Sequence, residues 1–429
     1  MGGVSVPHLK STAALAPELL PMPPEVQLPM SMHIGAPANP VVSVGDYVKA
    51  GQLIGEAAGG LSAHVHASIS GTVKSIDNYD GLTGKKGIFV TIASDGAQVL
   101  ADFQPPVVTN LTEFLEAVKN SGVVGLGGGG FPTASKLTLK DYSKLDYILV
   151  NGAECEPYIT ADARTMVDDA EIMWEGFLML KKYLNPKKII IAIESNKPEA
   201  IEKMREISKY KKDEIEVFVL PAMYPMGAEK TLAYKTVGRI VPEGKFPSDV
   251  GCIVVNCTTV AAFSKYIKTG RPLISKCITV DGSAVKNPKN VIAPIGTPVR
   301  QLFDYCGGLK DDVKKIILGG PMMGVAIPSL DMPVLKTTNA ALAFSEKDAS
   351  APEPSNCIKC ARCINQCPMG LMPPEIETAV ELKSPERLKR FKVNLCVKCG
   401  CCAYTCPAKR PLVQAISLGK NILSNYGGA

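Results

Sequence analysis

Residues 122–136 read Gly-Val-Val-Gly-Leu-Gly-Gly-Gly-Gly-Phe-Pro-Thr-Ala-Ser-Lys. A short strand-like stretch, Gly122–Val124, runs into a glycine cluster and then into residues suited to starting a helix. Glycines at this density let backbone N–H groups approach a phosphate or a flat ring, because no Cβ stands in the way. A helix beginning at the end of such a loop favours an anion, and Lys136, one turn in, would reach a phosphate. Alone, the loop is weak evidence for a nucleotide and reads first as a tight turn. The chain downstream argues for an α/β unit. A buried strand, Tyr147-Ile148-Leu149-Val150, ends in Asn151-Gly152-Ala153-Glu154-Cys155-Glu156-Pro157. A helix near Asp168–Tyr183, a strand Lys188–Ile193 and a helix Pro198–Lys209 are expected next. Strand Val217–Leu220 then leads to Tyr224-Pro225-Met226-Gly227-Ala228-Glu229-Lys230-Thr231, and strand Cys252–Val255 delivers Asn256-Cys257-Thr258-Thr259. Open α/β sheets bind ligands at the carboxyl ends of their strands, so these polar clusters point to one converging site.

The tail carries a second kind of chemistry. Its cysteines read Cys357-x2-Cys360-x2-Cys363-x3-Cys367-Pro368 and Cys396-x2-Cys399-x2-Cys402-x3-Cys406-Pro407. Three thiolates at this spacing wrap one face of a cubane, and the proline throws the fourth outward. In paired runs the fourth cysteine ligates the other cluster. Cys357, Cys360, Cys363 and Cys406 are therefore expected on one [4Fe–4S] cluster, and Cys396, Cys399, Cys402 and Cys367 on the second. Zinc takes four ligands in two separated pairs, a pattern that eight cysteines in two such runs do not fit. Cys401 belongs to neither run and reads as a bystander thiol. Between the runs, Pro374–Arg390 reads as one amphipathic helix. Two clusters this close make a one-electron wire rather than a catalytic centre.

Bulk properties narrow the class. The 429 residues exceed one ordinary core, so several domains are expected. From Ala351 onward eleven Lys/Arg face five Asp/Glu, so the net charge of +6 resides in the tail. All-cysteine clusters carry about −2 each, which such cations offset; the same charge would also suit an acidic electron-transfer partner. Nucleic acid is not expected, with a single Trp and no basic patch interleaved with aromatics. No apolar stretch nears the ~18 residues of a membrane span. No secretory signal is seen, and nine of the fourteen cysteines fall between Cys357 and Cys406, which favours a reducing, cytoplasmic setting.

Pro40–Ile54 and Ala67–Val73 alternate like strands joined by Gly-Asp and Gly-Gln turns, resembling the flattened barrel of biotinyl and lipoyl carrier domains. The lysine such carriers modify has no equivalent here, so the module is expected to be structural. His64 and His66 share a strand face, with a structural role preferred over metal. Lys276–Val285 and Val291–Gly308 read as a β-grasp unit with helix Val299–Cys306, expected as a spacer. Gly319-Gly320-Pro321-Met322-Met323-Gly324 lacks the Gly-Lys-Ser/Thr ending of a phosphate loop and reads as a close backbone approach.

Taken in order, the glycine loop, Asn-Gly-x-Glu-x-Glu-Pro, Gly-x-Glu and Asn-x-Thr-Thr resemble the flavin-binding subunit of respiratory NADH dehydrogenase. The resemblance implies that Gly127, Gly128, Gly129, Gly130 and Lys136 hold the phosphate side of FMN. Asn151, Tyr224, Gly227, Asn256 and Thr259 would line the flavin. Phe131, Glu154, Glu156 and Glu229 would position NAD(H). Leu126 replaces that family's usual Arg, while Ala228 and Lys230 replace a Glu and a Thr. The whole layout resembles the C subunits of Rnf-type ion-translocating ferredoxin:NAD oxidoreductases, as do His33-Ile34-Gly35-Ala36-Pro37 and Gly-Gly-Pro-Met-Met-Gly.

The implied fold is multidomain α/β: a barrel-sandwich hybrid at 1–105, a Rossmann-like FMN and NADH domain at 106–268, a β-grasp module of the soluble-ligand-binding type at 269–345, and an α-helical two-[4Fe–4S] ferredoxin-like domain at 350–429. The implied function is electron transfer between two [4Fe–4S] clusters and NAD(H) through non-covalent FMN. The chain would act as a peripheral subunit on the cytoplasmic face of the membrane. Its partners would be the other subunits of the complex, including an iron–sulfur subunit fed by ferredoxin, and ion translocation would belong to them. An NADH-dependent flavin and iron–sulfur corrinoid (cobalamin) reductase of microcompartments shares the layout and stands as the alternative. A third reading is a non-enzymatic relay with a degenerate flavin site.

Overall fold

Four apolar runs pair as a parallel sheet in the computed structural model, which describes residues 2–80, 86–350 and 352–426. The strand order is Ile215–Leu220, Lys188–Glu194, Tyr147–Gly152, Cys252–Asn256. Alternation along each strand divides the side chains between two cores. Ile148, Val150, Ile191 and Val255 pack with Phe114, Phe177 and Phe263 on one face. Those rings come from helices Leu111–Asn120, Ala170–Leu184 and Cys257–Thr269. Leu149, Ile190 and Val254 meet Leu232 and Ala233 of helix Glu229–Val237 on the other. Burial on both faces explains why these strands read as continuous apolar runs. The expected helix near Asp168–Tyr183 is in fact two, Ala161–Asp168 and Ala170–Leu184, parted where Asp169 leaves helical geometry at φ −105°, ψ 23°.

The barrel pairs Glu25–Pro29, Lys86–Ser94, Gly71–Asp80 and Tyr47–Val48 in one sheet and Asn39–Pro40, Leu53–Glu56 and Val65–His66 in another. Val26, Leu28, Ile54, Val65 and Ile92 fill the space between them. The β-grasp sheet is mixed, with Ser275–Asp281 antiparallel to Lys289–Pro294 and parallel to Ala340–Ser345. Helix Val299–Tyr305 supplies Leu302 and Phe303 to its core.

The tail is helical. The expected Pro374–Arg390 helix breaks into Pro373–Glu381 and Pro385–Arg390. Lys383 adopts φ 47° between them, and Pro385 lacks the amide that would carry the helix through. Helix Leu412–Tyr426 closes the unit, with Gly419 lying against Val380 and Leu388.

Residues 2–20 do not join the barrel. Val4 and Tyr224 exchange both backbone hydrogen bonds, at 2.8 and 3.0 Å. Gly2 lies on the Cys367 carbonyl, where a Cβ would stand 2.6 Å from the oxygen. Further on, Ser11 donates to Asp281 at 2.6 Å, and Glu18–Leu19 adds an edge strand beside Val291–Ile292. One stretch of chain therefore laces the α/β, helical and β-grasp units together. Residues 1 and 427–429, at the outer limits of the expected first and last domains, lie outside the described residues.

Helices Ala170–Leu184 and Cys257–Thr269 pack tightly at Gly176, where a Cβ would stand 2.4 Å from Ser264 Oγ and 2.6 Å from Val260 Cγ1. Gly176→Val is expected to destabilise the α/β unit by about 1–3 kcal/mol through overpacking. Denaturant unfolding reads this, and an unchanged midpoint would contradict the packing described.

Candidate functional site

The glycine loop closes on itself. Gly125 N–H donates to Phe131 O at 2.8 Å, and Gly130 N–H donates to Gly125 O at 3.0 Å. Gly128 and Gly130 take φ of +103° and +62°, where a Cβ is strained. A Cβ on Gly128 or Gly129 would meet nothing, so this side of the loop faces open space, whereas one on Gly127 would press within 2.9 Å of Asn256 Nδ2. Leu126 points the other way, buried in the core, while its N–H donates to Thr259 Oγ1 at 2.9 Å. Leu126, one of the three departures from the respiratory pattern, thus faces the core rather than the open side. The helix after the loop is a single turn, Thr133–Leu137. Lys136 gives its ammonium to Glu229 Oε1 at 2.5 Å and to Val254 O at 3.1 Å, and lies 5.8 Å from the Phe131 ring centre.

Asn151 and Asn256 are register partners at the carboxyl ends of adjacent strands. Asn151 Nδ2 donates to Gly227 O at 2.8 Å, tying in the Tyr224–Thr231 segment. Asn256 Oδ1 caps its helix by accepting Thr259 N–H at 3.1 Å, and Nδ2 donates to Asp162 Oδ2 at 2.7 Å. Asp162 also accepts from the Thr258 hydroxyl at 2.6 Å. Sequence reasoning misses this buried carboxylate. Its partners lie more than ninety positions away, so no local pattern marks it.

Glu154 and Glu156 stand on the turn after the central strand. Glu154 accepts Asp162 N–H at 2.6 Å, and burial pushes its carboxyl up to about 7 against the pull of Lys10. Lys10 Nζ donates to the carbonyls of Glu154 and Glu156, both at 3.0 Å, and of Ile159 at 2.5 Å. Burial likewise lifts Glu156 to about 7, countered by the Met322 and Met323 amides; Met322 N–H donates to Oε2 at 2.9 Å. Glu156 Oε1 is buried without a partner. The Gly319–Gly324 segment is the close approach its glycines suggest: a Cβ on Gly320 would stand 2.3 Å from Glu156 Oε2.

Tyr224 is buried, with its hydroxyl unpartnered, among Val4, Val6, Cys155, Cys399 and Cys401. It therefore abuts the cysteine tail. Cys401 Sγ–H donates to Tyr224 O at 3.9 Å, and a Cβ on Gly400 would lie 3.0 Å from Met322 O. Just beyond, a partly open cavity is lined by Cys367, Cys396, Cys399, Cys401 and Cys402, with Lys398 and mostly apolar neighbours. The Cys402 thiol is pushed up to about 12 by burial, helped by Cys396, Cys399 and Cys367. Cys363 is raised by burial with help from Cys406 and Cys357 instead. Cys367 of the first run therefore shares one cavity with Cys396, Cys399 and Cys402 of the second. Among the described residues, no group of three or more His, Cys, Asp or Glu side chains is placed to hold a metal ion. His64 and His66 lie 6.3 Å apart between ring centres; His64 accepts the Ala57 N–H, and His66 packs on Gly122.

Residues 118–265 match the Nuo51 FMN-binding domain, residues 1–97 the RnfC barrel sandwich hybrid domain, and residues 277–326 the SLBB domain. Two relatives are C subunits of ion-translocating ferredoxin:NAD(+) oxidoreductase complexes. That of the proton-translocating complex of Clostridium ljungdahlii is 40% identical over 377 residues, spanning 87% of this chain and 82% of its own. That of the Na(+)-translocating complex of Acetobacterium woodii is 39% identical over 425 residues, spanning 98% and 96%. The chain belongs to the RnfC family. As an RnfC protein, it also shares a fold with an NAD+-reducing [NiFe]-hydrogenase crystallised in the H2-reduced state. That likeness has a TM-score of 0.51 at 17% identity, over 74% of this chain and 63% of the other.

Because burial raises the Glu156 carboxyl above its ordinary range, the folded chain holds that proton more tightly than the unfolded one. The stability this contributes is complete below the usual carboxylate range and is lost as pH rises through about 7. Glu156→Gln stays neutral at every pH. It is expected to flatten part of the fall in Tm between about pH 5 and pH 8, and equal slopes in both proteins would contradict this assignment.

Proposed function

We propose that this chain is the peripheral subunit through which a membrane ferredoxin:NAD+ oxidoreductase exchanges electrons with NAD(H), using non-covalent FMN and two [4Fe–4S] clusters. The observation that carries the reading is the thin layer formed by Tyr224, Cys401 and Met322. It separates the polar strand ends from a cavity lined by Cys401 itself and by four cysteines drawn from both runs, Cys367, Cys396, Cys399 and Cys402.

The residues present fit these groups. Gly128 and Gly129 leave one side of the loop open, as a bound phosphate requires, and the unpartnered Tyr224 hydroxyl and Glu156 Oε1 lie at the same strand ends. Gly127–Gly130 and Lys136 would hold the phosphate, Asn151, Tyr224, Gly227, Asn256 and Thr259 the flavin, and Phe131, Glu154, Glu156 and Glu229 the nicotinamide nucleotide. Cys396, Cys399, Cys402 and Cys367 would hold the nearer cluster, and Cys357, Cys360, Cys363 and Cys406 the outer one. The chemistry these groups supply is one-electron transfer at the clusters and, at the flavin, exchange of single electrons for the pair NAD(H) carries.

The protein's own part is placement. Asn151 pins Gly227 and so fixes the Tyr224 segment, while Asn256 and Thr259 set the mouth of the loop. Lys10 holds the turn carrying both glutamates. The apolar layer around Tyr224 excludes water between the two sites. Cys357 and Cys360 are exposed, which suits electrons arriving from another subunit at the outer end. No helix among the described residues is long and apolar enough to cross a membrane. In this reading the chain is peripheral, at the cytoplasmic face, and ion translocation belongs to its partner subunits. Relatives aligned over nearly the whole chain favour this reading over the corrinoid reductase.

Cys402→Ala is expected to lower the iron content of the anaerobically purified chain from about eight atoms to about four. Cys401→Ala should leave it near the wild-type value. Iron analysis decides, and equal losses in both variants would contradict the ligand set.

A further inference from the structure

The expected strand before the glycine loop is only an isolated bridge at Val124, and this Gly122–Leu126 segment is gripped at both ends by buried lysines from outside the α/β unit. At its start, Lys336 Nζ donates to Gly122 O at 2.7 Å and to His64 O of the barrel at 2.5 Å. At its end, Lys276 Nζ donates to Leu126 O at 2.7 Å, to Lys336 O at 3.1 Å and to Asn339 Oδ1 at 2.5 Å. Lys276 belongs to the first β-grasp strand, Ser275–Asp281, and residues 336–339 lead into its last, Ala340–Ser345. Between these two grips, Thr337 Cγ2 lies 3.1 Å from where a Cβ on Gly130 would stand. The sequence suggests a spacer at this module; its side chains reach the loop instead.

Buried lysines are rare, and each must have its donors satisfied. Three acceptors surround Lys276 Nζ, and only the ammonium form has three N–H donors for them. Burial lowers its pKa to about 8, with Asp162 opposing, which leaves it charged near neutral pH. A cation here acts twice. It fixes the Leu126 carbonyl, hence the orientation of the peptides that follow into Gly127–Gly130. It also places a positive charge, little screened by solvent, directly behind a loop that would receive a phosphate dianion.

We infer that Lys276, braced by Lys336 and Asn339, is the positioning residue that holds the Gly125–Gly130 loop in its phosphate-accepting form, so that the β-grasp module is a wall of the flavin site. This rests on the flavin reading given above. Its distinctive consequence is selectivity between FMN and riboflavin, which differ only in the phosphate.

The test is titration of flavin-stripped full-length chain with FMN and, separately, riboflavin, for wild type, Lys276→Met and the milder Asn339→Ala. Iron content and thermal melting monitor folding. Lys276→Met should weaken FMN binding about ten- to a hundredfold, as for the loss of a charge-assisted hydrogen bond, and leave riboflavin binding nearly unchanged. Asn339→Ala should shift the same ratio in the same direction by less, and it carries the test if the first variant does not fold. Equal weakening of both flavins would show a purely structural lysine and overturn the inference. Unchanged FMN affinity in the variants would overturn it while leaving the flavin reading intact. Absence of FMN binding by wild type would overturn the flavin reading itself and this inference with it.

Discussion

Parallel pairing of Tyr147–Gly152 with Cys252–Asn256 sets Asn151 directly beside Asn256, and the remaining architecture depends on that register. A parallel sheet leaves the backbone groups at its carboxyl ends without ladder partners, so side chains and neighbouring segments must satisfy them. Asn151 draws in Gly227, while Asn256 caps its own helix and captures Asp162. Thr259, one turn into that helix, orients Leu126 and thereby the glycine loop. A slip of one residue would turn these polar groups into the apolar cores on either side.

Three other units converge on the same edge. The barrel contributes Ile34, whose N–H donates to Gly130 O at 2.9 Å, and the β-grasp module contributes Lys276 and Thr337. The helical tail meets the edge at Tyr224 and Met322, with the first residues of the chain laid between. Lys10 then secures the glutamate-bearing turn from the same amino-terminal segment. A pathway for electrons needs its stations close together and shielded from water. Here that closeness is enforced by backbone pairing at Val4 and Tyr224 and by glycines at 2, 320 and 400 that remove side chains from the contact.

Much of this was legible in the sequence because the signals are local. Buried strands announce themselves as apolar runs, and glycine density marks a loop without side chains. What the sequence concealed depends on long-range pairing. Asp162 looks like an ordinary first-turn acid, although it binds side chains on another helix start. Lys276 and Lys336 look like surface lysines until the β-grasp unit folds against the loop. Residues 2–20 carry no periodicity, because the few that are held make contacts with different units while many of the rest stand exposed. The helix start at Leu111 did have a local signature, Asn110 accepting Glu113 N–H at 3.0 Å, yet polar residues on either side obscured it.

The most direct test of the central claim is optical titration with NADH of the anaerobically purified chain, once its flavin and iron are counted. The account predicts about one FMN and about eight irons per chain, with NADH bleaching the flavin band and then the cluster absorbance. A chain holding the irons but no flavin, with absorbance indifferent to NADH, would contradict it and reduce residues Gly127 to Thr259 to scaffold.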